Sequence, residues 1–376
     1  MKNLLTNMRM LSGLYPETYF AGANTKRGFV SAYPAFIDET VLTRVYVLKG
    51  GSGTGKSSLM KKCAERAVAN GSSVTMLLCS SDPSSADAVI LKGEHGAAAI
   101  LDGTAPHITD PLFPGAVSEI VNLGEFWRPD ALRNARCEIT AHGEGKRAAY
   151  GRAYRYLSAY GEITKAAEAL LSDCILKEKM YAAATRVLSS VPKGKTYGEM
   201  LRHTAAISME GMYRLSTFSA KAKKKYAVVD SYGCGSFFLD ALRSAAAERR
   251  CMLWYAPAPG ETETPYELYF PTSEISFSLV GERDFSADGS SCEPGEYSVV
   301  NMGRFLDRRS LSSCRARLRF AARCREMLLD GALESLADAR LHHFRLEEIY
   351  KSAMDFDGVS ETGERIENEI SKILCP

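Results

Sequence analysis

The sequence predicts an α/β protein with mainly parallel sheets, on three observations. First, the run from Arg44 to Leu48 is apolar and β-branched, has the length of a strand and stops at a glycine-rich segment, after which residues 58–68 have helical spacing of apolar side chains. Second, two more apolar runs of strand length follow, at 73–79 and 97–102. Third, parts of this pattern return about 180 residues later, which predicts two such units.

Length and composition fit two units with packed cores. The 376 residues suit two units of roughly 150–200 residues each. Hydrophobic residues make up 45% of the chain and charged residues 24%, as in globular proteins with a solvated surface. The formal charge of +2 is nearly neutral, so the whole molecule has no strong attraction for nucleic acid or acidic membranes.

The cysteines and the N-terminus favour a cytoplasmic protein. No two of the ten cysteines have C-x-x-C spacing and none lies at zinc-finger intervals from histidines, so we expect neither a structural zinc nor a disulfide framework. Residues 1–7 lack the apolar stretch of a signal peptide. No run approaches the roughly 18 uncharged apolar residues of a membrane span. We therefore expect cytoplasmic localisation without membrane contact.

The glycine-rich segment matches a phosphate-binding motif at every fixed position. The motif G-x-x-x-x-G-K-[ST] is met by the run Gly50-Gly51-Ser52-Gly53-Thr54-Gly55-Lys56-Ser57. Its place between a predicted strand and a predicted helix is the context that this motif, the P-loop, requires. We expect this run and Ser58 to bind the phosphates of a nucleoside triphosphate.

The residue types explain how such a loop binds phosphate. Glycines allow successive backbone N–H groups to approach phosphate oxygens without a Cβ clash. The loop brings the phosphates to the N-terminus of a helix, where negative charge is favoured. Lys56 is expected to bind the β- and γ-phosphates, and the Ser57 hydroxyl to bind Mg²⁺. No N-K-x-D guanine motif is present, which favours ATP over GTP.

Two acidic residues are expected at the same edge of the sheet. Residues 97–102 form an apolar run that ends in Asp102, the pattern of the strand that supplies a second Mg²⁺ ligand in P-loop proteins. Asp82 follows the strand predicted at 73–79, although Asp-Pro is also a common way to begin a turn. Since ligands gather at the carboxyl ends of parallel strands, Gly50, Asp82 and Asp102 should meet there.

The residue that orients the attacking nucleophile is left open by the sequence. Asp102 is followed by glycine rather than by the glutamate that many ATPases use to activate water. The local candidates are His107, Thr104 and Asp110, and Asp82 is a further one. For His107, packing of a loop histidine against the neighbouring proline is an equal alternative.

Several segments of the first half recur in the second half at nearly the same spacing. The segment 121–126 returns at 300–305, an offset of 179 residues. Gly53-Thr54-Gly55 returns as Gly233-Cys234-Gly235, an offset of 180 residues, and the strand at 74–78 has its partner at 251–255. The repeat predicts that two related units pack against each other.

The second copy lacks the chemistry of the first. Aligned on the glycines, Ser236 stands opposite Lys56, Phe237 opposite Ser57, and Asp230 opposite Gly50. A phosphate site there would lack its cation and its metal-binding hydroxyl and would carry an extra anion. We therefore predict an active P-loop unit at residues 1–210, with a helical insertion at about 130–192, and a degenerate unit with C-terminal helices at 211–376.

An arginine-rich segment at 309–325 carries a further prediction about partners. Its arginines have no acid between them, and Arg315, Arg319 and Arg323 share one helix face. The segment is a solvated helix, a surface for an anionic partner such as nucleic acid, or a source of arginines that reach the nucleotide across the cleft between the units.

Several segments of the first unit resemble one protein family. The segments are Tyr19-Phe20-Ala21-Gly22-Ala23-Asn24-Thr25, Leu48 to Ser57, Cys79-Ser80-Ser81-Asp82-Pro83, Leu101 to His107 and Pro114-Gly115-Ala116. The family is bacterial and largely Firmicute, has tandem P-loop units, and is labelled only as ATPase or ATP-binding. The resemblance covers roughly residues 19–127 and implies ATP binding. Family members tend to keep a glycine–lysine P-loop in the second unit, and this chain departs there.

These observations leave three functional hypotheses. The leading one is an Mg²⁺-dependent ATPase or ATP-driven switch, in which Lys56 stabilises the transferring phosphoryl group, Ser57 and Asp102 bind the metal, and Asp82 or His107 orients the nucleophile. The second is a small-molecule kinase with Asp82 as the base for a substrate hydroxyl. The third is a nucleotide-gated binding protein with negligible turnover that uses the arginine-rich segment as its contact surface.

Overall fold

The structure is a computed structural model that describes residues 8–11, 13–230, 232–281 and 296–375. Within them the chain is a mixed α/β protein with mostly parallel sheets, as the sequence predicts. Cys292, one of the ten cysteines considered above, lies outside the described residues.

The strands and helices are numbered along the chain. The strands of the first half are β1 (Met8–Leu11), β2 (Glu17–Phe20), β3 (Gly22–Thr25), β4 (Gly28–Ser31), β5 (Arg44–Lys49), β6 (Ser73–Leu78), β7 (Ala86–Lys92), β8 (Ala97–Asp102) and β9 (Ser118–Asn122). The strands of the second half are β10 (Gly198–Leu201), β11 (Ala205–Ser208), β12 (Gly211–Leu215), β13 (Lys224–Asp230), β14 (Met252–Pro257), β15 (Pro265–Phe270), β16 (Ile275–Gly281) and β17 (Tyr297–Asn301). The helices are α1 (Lys56–Ala69), α2 (Pro129–Asn134), α3 (Arg136–Ser172), α4 (Lys177–Leu188), α5 (Thr217–Lys221), α6 (Gly235–Glu248), α7 (Arg308–Ser352) and α8 (Phe356–Leu374).

The first sheet has six strands in the order β2-β6-β7-β8-β5-β9. All of them run in one direction except β7, which is antiparallel to both of its neighbours. The carboxyl ends of β5, β6 and β8 therefore lie at the same edge, which brings Gly50, Asp82 and Asp102 to that edge. The strand β7 was missed by the sequence analysis, because an antiparallel strand joined by short turns has no place in a pattern of strands separated by helices.

The second sheet repeats the first in both order and direction. Its order is β10-β14-β15-β16-β13-β17, and β15 is its antiparallel strand. The segments 121–126 and 300–305 correspond to β9 and β17, each followed by one turn of 3-10 helix. Asn122 and Asn301 cap these turns alike, since their Oδ1 atoms accept from the backbone N–H of Gly124 at 3.1 Å and of Gly303 at 2.8 Å.

The helices that follow each sheet pack on the other unit. Helix α4 comes after the first sheet in the chain, yet Ala184 is buried against Phe238 of α6 in the second unit. Helix α8 comes after the second sheet, yet its Ile366 is buried in the same hydrophobic core as Met60 of α1 in the first unit. The packing thus crosses the boundary predicted between residues 210 and 211, and β10, which precedes that boundary, is a strand of the second sheet.

Two long helices and two hairpins connect the units. Helices α3 and α7 lie antiparallel, because His142 contacts His342 at 3.0 Å while Arg152, ten residues later, pairs with Asp338 at 2.7 Å. The turn of the β3–β4 hairpin contacts the second unit, where the Lys26 N–H donates to the Gly260 carbonyl at 2.9 Å. The turn after β11 contacts the first unit in the same way, where the Met209 N–H donates to the Ser81 carbonyl at 2.9 Å.

No membrane-spanning helix is found in the part of the chain that the structure describes, since none of its helices is both long and apolar enough to cross a bilayer.

A buried histidine between the units makes stability sensitive to acid. His203 is 3% exposed and joins β2 through a bridge to Phe20, and burial lowers its pKa to about 4 from an ordinary value of 6.5. Below pH 6.5 this histidine is therefore protonated in the unfolded chain but stays neutral in the folded chain. The free energy of unfolding consequently decreases as the pH falls from 6.5 towards 4. Between pH 7 and pH 5 this one group should remove about 2 kcal/mol from the free energy of unfolding.

Urea unfolding at the two pH values tests this expectation. The variant His203→Gln should lose about 2 kcal/mol less than the wild type between pH 7 and pH 5. The exposed His95 is the matched control, and His95→Gln should behave as the wild type does. Equal pH dependence in His203→Gln and the wild type would contradict the assignment.

Candidate functional site

The glycine loop (residues 50–55) joins β5 to α1 at the carboxyl edge of the first sheet. Gly53 and Gly55 have positive φ angles of 75° and 88°, which side-chain-bearing residues rarely adopt. The loop also lies directly against other parts of the chain. A Cβ on Gly53 would come within 2.8 Å of Lys351 Cγ of α7, and one on Gly51 within 3.2 Å of the Trp127 ring. Backbone conformation and close approach together require glycine at residue 53.

The Lys56 ammonium group is bound by the carbonyl oxygens of this loop. Its Nζ donates to the Gly50 carbonyl at 2.8 Å and to the Gly51 carbonyl at 2.7 Å, and it lies 3.6 Å from Asp102 Oδ2. Burial lowers the pKa of Lys56, and the nearby Asp102 carboxylate opposes this change. The first unit thus holds a buried cation at the beginning of α1, next to a carboxylate.

Asp102 and Ser57 line the same cavity as this cation. Asp102 ends β8, the strand next to β5, and its Oδ1 accepts from the Thr104 N–H at 2.8 Å and from the Thr104 hydroxyl at 2.5 Å. Burial raises the pKa of Asp102, while Lys56 and Thr104 oppose the rise. The Ser57 Oγ accepts from the Ala86 N–H at 2.9 Å, at the beginning of β7. Thr104, which the sequence offers as a candidate for positioning the nucleophile, is thus engaged in holding the Asp102 carboxylate.

A cavity of about 620 Å³ opens beside the glycine loop. The residues predicted from the sequence that line it are Ser52, Gly53, Thr54, Gly55, Lys56, Ser57, Ser58, Asp82, Asp102, Thr104 and His107. Gly50 and Gly51 contribute through the carbonyl groups that bind Lys56. Asp110 is exposed and is not part of the lining. One cavity thus collects residues that are up to 55 positions apart in the sequence, from Ser52 to His107.

Asp82 and His107, the two residues expected to orient the nucleophile, occupy different environments. Asp82 is partly exposed, and its Oδ1 accepts from the N–H and the hydroxyl of Ser84 at 3.1 Å and 2.6 Å. His107 is only 4% exposed and its ring stacks on Tyr33 at 4.7 Å, with Phe29 edge-on at 4.7 Å. His107 is therefore a packed loop histidine as in the alternative, but its ring packs on Tyr33 and Phe29, and the residue also lines the cavity.

The structure adds Asp87 to the site, a residue that the sequence analysis missed. Asp87 lies on β7, is 6% exposed and lines the cavity. Its buried Oδ2 lies 3.0 Å from His107 Nε2, at ion-pair distance, although no hydrogen bond to this oxygen is formed among the described residues. The available signal was a single acid in an apolar run, Ala86-Asp87-Ala88-Val89. A buried carboxylate oxygen without a donor is costly unless a ligand or water reaches it.

Much of the remaining wall of the cavity comes from the long helices, from β3 and from the turn between β11 and β12. The lining residues on these elements that the sequence analysis did not assign to a site include Asn24, Lys146, Arg147, Tyr150, Tyr154, Met209, His343, Glu347 and Lys351. Several of them fix one another, since the Tyr150 hydroxyl donates to Ser81 Oγ at 2.9 Å and the Tyr154 hydroxyl donates to Asn24 Oδ1 at 2.9 Å. No local signal could have found His343 or Lys351, because they lie about 290 residues from the glycine loop in the chain.

The second unit has a shorter counterpart of the glycine loop, between β13 and α6. Lys49 pairs with Asn122 and Val229 with Asn301, so these two residues correspond. Helix α1 begins at residue 56 and α6 at Gly235, which leaves five residues after Val229 where the first unit has six. The alignment that put Ser236 opposite Lys56 and Phe237 opposite Ser57 is therefore shifted by one residue, and Gly235 stands where the first unit has its lysine.

The counterpart of Asp102 is also lost in the second unit. Leu48 pairs with Asp102 across β5 and β8, and Val228 pairs with Leu279 across β13 and β16. A leucine thus replaces the carboxylate, and the corresponding cavity shrinks to about 90 Å³. The predicted loss of the cation is accompanied by loss of the acidic residue at the end of the neighbouring strand.

Asp230 fills the shorter loop with its own carboxylate. One oxygen, Oδ1, accepts from the backbone N–H groups of four residues, Tyr232 at 3.3 Å, Gly233 at 2.9 Å, Cys234 at 2.8 Å and Gly235 at 3.2 Å. Convergent N–H groups at a helix N-terminus form an anion-binding nest, and here the anion is part of the chain. Asp230 is 6% exposed, so the nest is closed to solvent.

The arginine-rich segment lies at the beginning of α7. The side chains of Arg309, Arg315, Arg317, Arg319 and Arg323 are exposed, and the neighbouring Phe320 is 60% exposed. Arg325 alone turns inward, where it lines the small cavity of the second unit. The segment is thus mainly a solvated helix face, and its one inward arginine approaches the second loop and not the first.

Comparisons with protein-family models, with curated proteins and with solved structures gave no match to this chain.

Removal of the Asp230 carboxylate should destabilise the fold strongly. Asp230→Ala leaves four N–H groups without their acceptor in a site that is closed to solvent, and we expect the free energy of unfolding to fall by about 3 kcal/mol or more. Asp38 is the matched control, because its Oδ1 also caps a turn, accepting from the N–H and the hydroxyl of Thr40, but in an exposed loop. Asp38→Ala should cost about 1 kcal/mol or less.

Urea unfolding of the two variants measures both values. A cost for Asp230→Ala as small as that for Asp38→Ala would show that the carboxylate does not hold the second loop together.

Proposed function

We propose that the chain is an Mg²⁺-dependent ATP-binding protein of the P-loop NTPase type, which hydrolyses ATP or uses it as a switch, with the nucleotide bound in the first unit only. The proposal includes membership of the tandem P-loop family that the first unit resembles. The degenerate second unit is its packing partner, and it completes the wall of the nucleotide cavity.

One observation carries the proposal. The Lys56 ammonium is bound by the carbonyl oxygens of Gly50 and Gly51 and lies 3.6 Å from Asp102, at the carboxyl edge of parallel strands and at the N-terminus of α1. A polyphosphate here would meet loop N–H groups, a helix N-terminus and a mobile cation. The adjacent cavity of about 620 Å³ is within the range of nucleotide-sized ligand sites.

The residues beside Lys56 suit a magnesium ion. Ser57 supplies a hydroxyl oxygen and Asp102 a carboxylate oxygen, the hard ligands that Mg²⁺ prefers, and both line the same cavity. Mg²⁺ is usually held by one or two protein groups and completed by phosphate oxygens and water, so two such residues are enough. When bound, the ion would neutralise charge on the β- and γ-phosphates.

The first test is the loss of nucleotide affinity when the cation is removed. Lys56→Ala should weaken Mg²⁺–ATP binding by about ten- to a hundredfold, because it deletes charge-assisted hydrogen bonds to the phosphates. Isothermal titration calorimetry measures the dissociation constant, and GTP in the same titration reports base choice. Lys62, exposed on the same helix and paired with Glu367, is the control, and Lys62→Ala should bind within about twofold of the wild type. Wild-type affinity in Lys56→Ala would rule out this site.

A second candidate function, a small-molecule kinase, is favoured by Asp87. Asp87 lines the cavity beside the glycine loop together with Tyr150, Tyr154 and Met209, and its Oδ2 lies 3.0 Å from His107 Nε2. Such a wall can hold an acceptor molecule and exclude water. In this reaction the acceptor hydroxyl oxygen forms a bond to the γ-phosphorus, the bond from that phosphorus to the β-bridging oxygen breaks, ADP leaves, and the hydroxyl proton passes to Asp87.

The same carboxylate would orient water in an ATPase, so its replacement tests the reaction in either case. We expect Asp87→Asn to lower turnover by about a hundredfold or more while Mg²⁺–ATP affinity changes by less than about threefold, because proton transfer is lost and phosphate binding is not. Phosphate release and ADP formation are measured with ATP alone and with a mixture of metabolites. Asp82→Asn is the comparison, since a loss confined to Asp82→Asn would move the role of base to that residue.

The outcome also separates the functional classes. Phosphate release without additions favours the ATPase, and ADP formation only in the presence of metabolites favours the kinase. Tight binding without turnover, together with a salt-sensitive interaction with DNA or RNA at the exposed arginines of α7, favours the nucleotide-gated binding protein.

A further inference from the structure

A lysine of the long helix α3 enters the cavity of the first unit with only a neutral partner. Lys146 Nζ lies 3.1 Å from Nδ1 of His343 on α7, and both residues line the cavity. Burial first, and then Lys146 itself, lower the pKa of His343 to about 4, so this histidine is neutral at pH 7. Since an ammonium group can only donate, Nδ1 of His343 is the acceptor.

The charge on Lys146 is not balanced by an acidic neighbour. Within the described residues no carboxylate oxygen lies within 4 Å of Lys146 Nζ, as the ion pairs of the first unit show. Burial lowers the pKa of Lys146, Cys79 opposes this change, and Lys56, which lines the same cavity, lowers the pKa further. Two cations that repel each other in one partly buried cavity raise the free energy of the unliganded state, and an anion between them removes that cost.

The second unit has a corresponding cation beside an anion that is already in place. Arg325 follows Lys146 by 179 residues, the offset found between 121–126 and 300–305, and lies on α7 as Lys146 lies on α3. Its guanidinium lies 3.8 Å from the position that a Cβ on Gly233 would occupy, at the loop that encloses the Asp230 carboxylate. Arg325 and Asp230 line the same small cavity. In the second unit, therefore, Arg325 of the long helix α7 lies near the loop whose N–H groups bind the Asp230 carboxylate.

We propose that Lys146 binds the terminal phosphate of the nucleotide in the first unit, so that the helix pair α3/α7 distinguishes a nucleoside triphosphate from a diphosphate. This inference rests on the proposed function. The γ-phosphate is the part of a triphosphate that a diphosphate lacks and that extends past the β-phosphate at Lys56, and Lys146 lines the same cavity as Lys56 and as Cys79, which follows β6 at the carboxyl edge of the sheet.

The contact would reach both long helices. The ammonium of Lys146 has one hydrogen-bond partner on α7, His343, and one and two turns later the same helix presents Glu347 and Lys351 to the glycine loop at Gly53. Binding of Lys146 to phosphate would reorient or replace its contact with His343, whereas a diphosphate would leave that contact as it is. Binding of the terminal phosphate would thus change a contact between α3 and α7, the helices that connect the two units.

Calorimetry with two nucleotides tests the inference. The full-length wild type, Lys146→Met and Lys146→Arg are titrated with Mg²⁺–ADP and with Mg²⁺ and an ATP analogue whose β,γ-bridge is an imido group. Lys146→Met keeps the aliphatic stem and removes the charge, so we expect about tenfold weaker binding of the analogue and less than about twofold change for ADP. Lys146→Arg should keep most of the preference. Lys165→Met, on an exposed stretch of the same helix where Lys165 pairs with Glu162, should change neither value.

The possible results are distinct. If Lys146→Met weakens ADP and the analogue equally, or weakens neither, the inference is overturned while nucleotide binding stands. If the wild type binds neither nucleotide, the proposed function itself is lost and the inference with it. Thermal unfolding of each variant confirms that the titrated protein is folded, and a Lys146→Met variant that does not fold leaves Lys146→Gln as the charge-free replacement for the same comparison.

Discussion

The binding of the Lys56 ammonium by the carbonyl groups of Gly50 and Gly51 is the contact on which the site depends. It fixes the glycine loop at the end of β5, begins α1 and brings a cation to within 3.6 Å of Asp102. A buried ammonium needs acceptors, and only a backbone free of side chains can turn two carbonyl groups towards it in so short a loop. The strand order extends this local arrangement, because β8 is next to β5 and therefore supplies the carboxylate.

The second unit has the same strand arrangement, but its loop contains a buried carboxylate where the first unit has a buried ammonium group. Its sheet repeats the strand order and directions of the first, yet Gly235 and Leu279 stand where the first unit has Lys56 and Asp102. Asp230 supplies an internal anion to the N–H groups of the loop, so the nest is satisfied without a ligand. A loop that has lost its cation and its acidic neighbour can remain folded in this way, and the cavity of about 90 Å³ beside it reflects that closure.

The two units depend on each other physically, since each completes the other. Helix α4 packs on α6, α8 packs on α1, and α3 and α7 run antiparallel between the units. The cavity of the first unit is lined by Met209 from the turn between β11 and β12 and by His343 and Lys351 from α7. Part of the wall of the first unit's cavity is therefore built by α7, which precedes α8 and follows the second sheet in the chain.

The sequence by itself determined the features that depend on neighbouring residues. The strands β5, β6 and β8, the helix α1, the glycine loop and the placement of Asp102 at a strand end follow from local periodicity and from the conformational freedom of glycine, and the repeat predicted the loss of the second lysine. Only the tertiary structure decided the features that depend on contacts between distant segments. These are the antiparallel strand β7 with Asp87, the exchange of α4 and α8 between the units, the carboxylate of Asp230 inside its own loop, and the approach of Lys146 and His343 to a loop about 90 and 290 residues away. Local sequence patterns determine the secondary structure of a segment, but they do not determine which distant side chain packs against it.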